Sequence, residues 1–211
     1  LIDHSIKLYG IGGSRMKLLD FNAVFDSKDL SVVGIVEVLA KLPAIKKAFD
    51  KLKNILDNDR PDAVVLIDYP DFNLRFAKKV KERGIPIIYY ISPQVWAWRK
   101  GRIKKIAKLV DKMLVIFPFE EKIYKDAGLD VEYVGHPLAD EVKCPFSKEE
   151  ARKRLGIKGG DIIVALAPGS RVSEVRLLMP EIMGAARIIN KEIPDVNFIL
   201  PLANTLDRRF M

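Results

Sequence analysis

The sequence predicts an α/β protein built on parallel, Rossmann-like sheets. Short apolar runs alternate with amphipathic stretches along most of the 211 residues. The runs at 63–67 and 87–91 are continuously apolar, as in strands covered on both faces of a parallel sheet. The stretch 44–57 instead repeats its apolar residues at the spacing of a helix. Strands separated by helices indicate βαβ units and therefore a parallel sheet.

The elements follow one another in strand–helix order. A short strand is expected at 6–10 and a helix at 44–57. The following predicted elements are strand 63–67, helix 74–83, strand 87–91, helix 103–109, strand 112–117, helix 120–127 and strand 131–134. Gly84 and Gly128 are expected to end the helices that precede them, because glycine favours the position after a helix terminus.

A polar segment divides the chain into two predicted domains. Residues 1–140 form the first Rossmann-like domain, and 141–160 form a linker that contains a short helix. A second α/β unit begins at 161 and runs to 211. Its predicted elements are strand 161–167, a turn at 168–171, helix 175–192 and strand 197–200.

Basic residues cluster in two places, and the net charge is +8. Between Arg99 and Lys112 seven basic residues accompany one acid, and between Lys41 and Lys53 five lysines accompany one acid. Such clusters attract nucleic acid, anionic lipid or a phosphorylated substrate, although a solvated helix face explains them equally well. With two histidines and one cysteine, Cys144, no zinc site of ordinary spacing can be written.

A carboxylate follows the predicted strand 63–67. Ligands of open α/β sheets bind beyond the carboxyl ends of the strands, where Asp68 is placed to act as a general base. Asp71 and Asn73 follow as candidate substrate contacts, and either side chain could instead cap the next helix. We favour Asp68 as the chemical residue and Asp71 as the cap.

Both tryptophans of the chain follow the next strand. Ser92, Trp96, Trp98 and Arg99 are candidate substrate contacts, since aromatic rings beside basic groups can stack on a sugar or meet acyl chains. Packing between domains is the alternative role of the two rings. His136, in a turn after strand 131–134, is a candidate ligand or a hydrogen-bonded structural residue.

The turn 168–171 suits an anion. Gly169 lets the backbone approach a ligand, Ser170 adds a hydroxyl, and the N-terminus of the following helix offers N–H groups. Arg171 can donate two hydrogen bonds to a phosphate and is a candidate for the leaving-group site.

The segment 30–43 is strongly apolar and leads into the lysine cluster. It is predicted either to be a core helix or to lie on a membrane with a basic rim. The residues proposed for the membrane patch are Val33, Val36, Val38, Leu39 and Leu42. No apolar run approaches the roughly 20 residues that a membrane-spanning helix needs.

Taken together, these segments resemble the lipid-A-disaccharide synthases of glycosyltransferase family 19. The motifs that carry the resemblance lie at 30–39, 67–73, 90–99, 117–120, 134–140 and 168–175. The resemblance implies a GT-B fold with two Rossmann-like domains, the first on the acceptor side and the second binding the nucleotide sugar. It also places a first strand before Leu1 and the rest of the second domain after Met211, so we expect the 211 residues alone to be inactive.

The resemblance implies an inverting transfer of sugar. The donor is UDP-2,3-diacylglucosamine and the acceptor is 2,3-diacylglucosamine 1-phosphate. The products are the β-1′,6-linked disaccharide 1-phosphate and UDP. Asp68 or Asp71 would be the base, and no cofactor or metal is expected. The family acts in the cytoplasm, peripherally on the anionic inner membrane. The sequence does not decide whether the protein forms a homodimer.

Two other functions fit parts of the sequence. Another GT-B enzyme acting on UDP-N-acetylglucosamine, such as a 2-epimerase or a peptidoglycan glycosyltransferase, would share the fold but should lack the pattern from Ser92 to Arg99. A basic nucleic-acid-binding module would explain the charge. The apolar stripe at 32–42 favours lipid over nucleic acid as the partner.

Overall fold

The computed structural model describes residues 5–30, 35–98, 100–157, 162–203 and 206, and the side chains of 28, 29, 35–40, 98 and 100 lie outside that description. The chain forms two compact units, Leu1–Val142 and Lys143–Met211. Every strand pair in the described residues is parallel. The predicted α/β class with parallel sheets is therefore confirmed.

The first unit opens with a two-stranded sheet. Strand β1 (Leu8–Gly12) pairs in parallel with β2 (Phe21–Asp26), and a 3-10 turn lies between them. A side chain at Gly12 would place its Cβ 2.4 Å from the ring of Phe21, so only glycine fits there. Strand β2 was not predicted from the sequence, because Asn22 and Asp26 interrupt its apolar residues and leave neither a continuous apolar run nor a strict alternation.

Two helices follow β2. They are α1 (Ser27–Leu30) and α2 (Ile35–Asn58). Helix α2 continues through Pro43, so the predicted start at 44 was wrong. Proline removes one intrahelical hydrogen bond. The turns beyond it are held by Ile45, Phe49, Leu52 and Leu56, which pack against the core.

Four parallel strands form the main sheet, in the order in which they occur in the chain. They are β3 (Val64–Ile67), β4 (Ile87–Tyr90), β5 (Lys112–Val115) and β6 (Asp130–Tyr133). The register places Leu66 beside Tyr89, Tyr89 beside Met113, and Met113 beside Val131. This row is buried throughout and forms the centre of the core.

Helices connect the strands. They are α3 (Pro70–Lys81), α4 (Val95–Trp98), α5 (Ile103–Leu109), α6 (Pro118–Lys125) and α7 (Leu138–Glu141). Helix α3 buries Phe72, Phe76, Ala77 and Val80 in the core beside the sheet. Helices α3 and α5 also contact each other.

Strand β3 is less buried than its sequence suggested. Val65 is 56% exposed and Ile67 is 46% exposed in the described residues, whereas Leu66 is buried. The prediction of a continuously buried strand was wrong at these two positions. An apolar run indicates that its side chains can be buried. Which segments cover each face of the sheet depends on residues far away in the sequence.

The second unit is described by its own elements. Helix α8 (Lys148–Arg154) is capped by Ser147, whose Oγ accepts a hydrogen bond from the Glu150 N–H at 3.1 Å. Strand β7 (Ile163–Ala165) pairs with β8 (Asn197–Ile199), and helix α9 (Val172–Glu192) connects them. Within the described ranges, none of the helices of either unit has the length and hydropathy that crossing a membrane requires.

Candidate functional site

The candidate site lies where the strands of the main sheet end. Hydrogen bonds between strands continue past those ends. The N–H of Asp68 donates to the Tyr90 carbonyl, and the N–H of Ile91 donates to the Leu114 carbonyl, both at 3.0 Å. The first loop residues after β3 and β4 are therefore fixed side by side, at the edge where ligands of open α/β sheets bind.

The turn after β3 has an unusual backbone. Asp68 and Tyr69 have φ of 44° and 45°, and Ile91 after β4 has φ of 63°. Residues other than glycine disfavour this left-handed region, and a β-branched residue such as isoleucine is rarely found there. Strained residues of this kind often occur at functional sites.

Two side chains hold the Asp68 backbone in place. Its carbonyl accepts hydrogen bonds from the Tyr89 hydroxyl and from Asn73 Nδ2, both at 2.6 Å. Asn73 Nδ2 also donates to the Ile67 carbonyl at 3.0 Å. Burial raises the pKa of Tyr89 well above its ordinary value, so this phenol remains a neutral donor.

The Asp68 carboxylate takes no part in these contacts, which are made by the carbonyl of the residue. The residue is exposed, and in the described part of the chain no basic group lies within ion-pair distance of it. Its backbone is thus fixed while its charge remains open to a ligand, as a general base requires.

Asp71 does not cap helix α3, contrary to expectation. The N-cap is Tyr69, without a side-chain cap, and Pro70 is the first helical residue. Asp71 lies within the first turn, where the positive end of the helix dipole stabilises a carboxylate. Its side chain is 85% exposed and lies 3.9 Å from Arg102. Pro70 explains why the helix begins before Asp71, since the fixed φ of proline suits the first position of a helix.

A buried glutamate joins the loops that follow β4 and β5. Glu120 is 1% exposed, and its carboxylate accepts three hydrogen bonds. Ser92 Oγ donates at 2.5 Å, Trp96 Nε1 at 3.0 Å and the Phe117 N–H at 3.2 Å. The hydroxyl of Ser92, a predicted substrate contact, is therefore engaged inside the protein.

The sequence analysis gave Glu120 no role. The available signal was local: Pro118 stands at the first position of a helix, and Glu120 at the third position reaches back to the Phe117 N–H, as the glutamate of a capping box does. That pattern predicts the bond to the Phe117 N–H. The bonds to Ser92 and Trp96 depend on how strands β4 and β5 are aligned.

Aromatic rings form a row across the ends of three strands. The Trp96 ring meets the Phe119 ring edge-on at 4.8 Å between centroids. Phe119 stacks on Phe117 at 5.7 Å, and Phe117 contacts the His136 ring at 5.6 Å. His136 Nδ1 accepts the Leu138 N–H at 3.2 Å, which fixes its orientation. Trp96 and His136 are thus parts of one row, and Phe119 is 49% exposed.

Several predicted site residues lie outside the described residues. Arg99 and Val33 are among them, and the side chains of Trp98, Val36, Val38 and Leu39 are not described. Leu42 of the proposed membrane patch is described and is 48% exposed. Across the described residues, no group of three histidine, cysteine or acidic side chains could hold a metal ion.

The turn of the second unit differs from its prediction. The N–H groups of Ser170 and Arg171 each donate to Glu174 Oε2 at 3.2 Å, and Arg171 Nη1 pairs with Glu174 Oε1 at 2.9 Å. The prediction that the N–H groups at the N-terminus of α9 are free was therefore wrong, because the Glu174 carboxylate accepts hydrogen bonds from them. Gly169 has φ of 109°, and an added Cβ would lie 2.6 Å from Glu174 Oε2.

Comparison with known proteins identifies the family. The family model for lipid-A-disaccharide synthetase matches residues 2–211. The chain belongs to the lipid-A-disaccharide synthetase family. It is 50% identical over 206 residues to a lipid-A-disaccharide synthase of Syntrophus aciditrophicus, and 50% identical over 204 residues to one of Trichlorobacter lovleyi. These matches cover 98% and 97% of the chain and 54% and 53% of the relatives. The chain spans about half the length of the curated relatives it matches.

A solved structure supports the GT-B type of fold. The UDP-GlcNAc 2-epimerase of Neisseria meningitidis, solved with UDP-GlcNAc bound, superposes with a TM-score of 0.54 at 12% identity. The match covers 94% of this chain and 66% of that one. At this identity the likeness concerns the fold alone.

Proposed function

We propose that the full-length protein of this family transfers 2,3-diacylglucosamine from UDP-2,3-diacylglucosamine to 2,3-diacylglucosamine 1-phosphate. The products are the β-1′,6-linked disaccharide 1-phosphate and UDP. The observation that carries the proposal is the exposed Asp68 carboxylate, on a backbone fixed at the carboxyl edge of the sheet. Membership of the lipid-A-disaccharide synthetase family supports the proposal that this carboxylate acts in a glycosyl transfer.

The proposed mechanism is a single displacement. Asp68 takes the proton of the acceptor hydroxyl as its oxygen attacks the anomeric carbon. The bond from that carbon to the UDP oxygen breaks, and the departing diphosphate carries the electron pair away. One attack from the face opposite the leaving group inverts the configuration. A positioned general base supplies roughly two to four decades of rate to such a step.

Arg171 is proposed to stabilise the leaving diphosphate together with Gly169 and Ser170. Its guanidinium is now paired with Glu174 and is 61% exposed. A phosphate that replaced the Glu174 carboxylate would meet the same guanidinium and the same two N–H groups. The arrangement supports an anion site at which a phosphate would compete with the Glu174 carboxylate.

Arg171→Lys should lower the activity of the full-length enzyme by about tenfold or more, because lysine keeps the charge but loses the two-pronged donor. The matched control is Arg176→Lys, one turn further along the exposed surface of α9. Steady-state rates at varied donor concentration are the measurement. Equal activity of Arg171→Lys and the control would remove the two-pronged contact from the mechanism.

The remaining predicted contacts are proposed to form the acceptor side. The aromatic row, including Trp96 and His136, offers ring faces for a sugar or an acyl chain. Trp98 and Arg99 continue the same segment of the chain. Ser92 and Asn73 are proposed to position the loops rather than to contact the substrate directly, since both side chains are hydrogen-bonded within the protein.

A second proposal concerns the membrane. Both substrates carry acyl chains, and we propose that the enzyme associates peripherally with the anionic cytoplasmic face of the inner membrane through the patch at 33–42. The exposed Leu42 side chain and the lysines that follow support this. Basic residues near such a surface contribute about 1 kcal/mol each, and salt weakens that contribution.

Replacing Val36, Val38, Leu39 and Leu42 together by serine should release the protein from anionic liposomes in a flotation assay. The wild type should lose only part of its binding as salt rises, since apolar burial is not screened. The thermal unfolding transition should stay cooperative in the variant. Loss of that transition would show that these residues belong to the core.

The proposed reaction differs from that of a 2-epimerase in what releases UDP. Full-length enzyme given UDP-2,3-diacylglucosamine should release UDP only when 2,3-diacylglucosamine 1-phosphate is added. Release of UDP at the same rate without the acceptor would contradict the transferase proposal.

A further inference from the structure

A groove runs between helices α3 and α5, beside the candidate site. Its cavity volume is about 240 Å³. It begins at Pro70 and Asp71, two to three residues after Asp68. The other end lies between Lys78 and Leu109. The groove therefore starts at the carboxyl edge of the sheet, where the proposed base lies.

The rim of the groove is basic. Four cationic side chains line it: Arg75, Lys78, Arg102 and Lys105. Among the described residues that line the groove, the only acid is Asp71, which is 85% exposed and 3.9 Å from Arg102. No ion pair within 4.0 Å is found for Arg75, Lys78 or Lys105 among the described residues. Four like charges around one cavity repel one another, so an anion placed among them would be bound favourably.

The floor of the groove is apolar. Leu74, Ile106 and Leu109 lie beneath the charged groups, and all three belong to or pack against the core. A basic rim above an apolar floor fits a ligand with a phosphate at one end and hydrocarbon at the other. A solvated nucleic-acid backbone would use the charges and leave the floor unused.

The size of the groove limits how much of a ligand it can hold. Pockets that enclose a whole small molecule usually have about 300–1,000 Å³. A groove of about 240 Å³ holds a phosphate and the first part of an acyl chain, and leaves the rest of the ligand outside.

We infer that this groove binds an acylated sugar phosphate, with its phosphate among Arg75, Lys78, Arg102 and Lys105 and its hydrocarbon on Leu74 and Leu109. The inference rests on the proposed function, because the acceptor of that reaction is an amphiphile of this kind. It deepens that function by assigning the acceptor phosphate to α3 and α5 of the first unit.

Direct binding to the 211-residue chain tests the inference. The probe is 2,3-diacylglucosamine 1-phosphate with short acyl chains, kept below its micelle concentration, and the measurement is isothermal calorimetry. Lys78→Gln with Lys105→Gln should weaken binding by about tenfold or more, as expected when two charged contacts to a phosphate are lost. Removal of the phosphate from the probe should weaken binding to the wild type to a similar extent.

The matched control is Lys104→Gln with Lys108→Gln. Both lysines are exposed, and neither lines the groove, although they share helix α5 with Lys105. This pair removes the same net charge and should leave the affinity nearly unchanged. Equal weakening by the two pairs would overturn the groove as a site and leave only a general effect of charge. Binding to anionic vesicles but not to the monomeric probe would overturn it in favour of a membrane surface.

The outcome is separable from that of the proposed reaction. Failure of the groove variants to affect binding leaves Asp68 and the transfer reaction untouched. Conversely, a normal rate for an Asp68 variant of the full-length enzyme would reject the proposed base without altering the affinity of the groove for its probe.

Discussion

Asp68→Asn should lower kcat of the full-length enzyme by about two to four decades, the range for loss of a general base. Asparagine has nearly the same shape and keeps the backbone contacts of residue 68, which involve its N–H and carbonyl rather than its side chain. The fold should therefore survive. What is lost is the ability to accept a proton from the acceptor hydroxyl.

Asp71→Asn is the matched control for this change. Asp71 lies three residues further along, in the first turn of α3, and is the other carboxylate that the sequence left open as the base. Its side chain is 85% exposed, lies 3.9 Å from Arg102 and lines the groove between α3 and α5. We expect Asp71→Asn to keep most of its kcat. A large loss in Asp71→Asn with a small one in Asp68→Asn would assign the base to Asp71 instead.

Glu120→Ala should destabilise the protein by about 2 to 4 kcal/mol, because it leaves buried donors without their acceptor. Ser92 Oγ and Trp96 Nε1 both lose the carboxylate that they share. The Phe117 N–H at the start of α6 loses its cap as well. The measurement is the free energy of unfolding from urea denaturation of the 211-residue chain, read for the transition of the first unit.

Glu121→Ala is the control for that variant. Glu121 is the next residue on α6 and forms an ion pair with Lys125 at 3.0 Å on the helix surface. Such pairs contribute under about 0.5 kcal/mol, so its loss should be small. Glu120→Gln should fall between the two, since the amide keeps one acceptor oxygen. Similar values for Glu120→Ala and Glu121→Ala would show that the buried contacts contribute little to stability.

Much of the fold could be predicted because its signals are local. Helix α5 was predicted at 103–109 and is found at Ile103–Leu109, since its apolar spacing and flanks are unambiguous. The centres of β4, β5 and β6 were predicted for a similar reason. Helix starts were less accurate, as α3 and α9 begin four and three residues before their predicted starts. The predicted start at 74 placed Pro70 in the loop, whereas it is the first residue of α3.

The placement of the site at strand ends could also be predicted. Asp68, Ser92 and His136 each follow a predicted strand, and parallel strands bring their carboxyl ends to one edge of the sheet. Contacts among side chains could not be predicted in this way. The Glu120 cluster and the aromatic row depend on which loops the sheet aligns. The sequence does not show whether the N–H groups of residues 170 and 171 donate to an internal carboxylate such as Glu174 or to a ligand.

The linkage in the product tests the account most directly. Full-length enzyme should be incubated with UDP-2,3-diacylglucosamine and 2,3-diacylglucosamine 1-phosphate, and the product should be examined by NMR spectroscopy. A single displacement requires inversion at the anomeric carbon, so a donor with an α-linked UDP should give a β bond, which the proposed acceptor hydroxyl makes β-1′,6. An α-linked disaccharide, or a 2-epimer of the donor sugar without any disaccharide, would contradict the proposed mechanism.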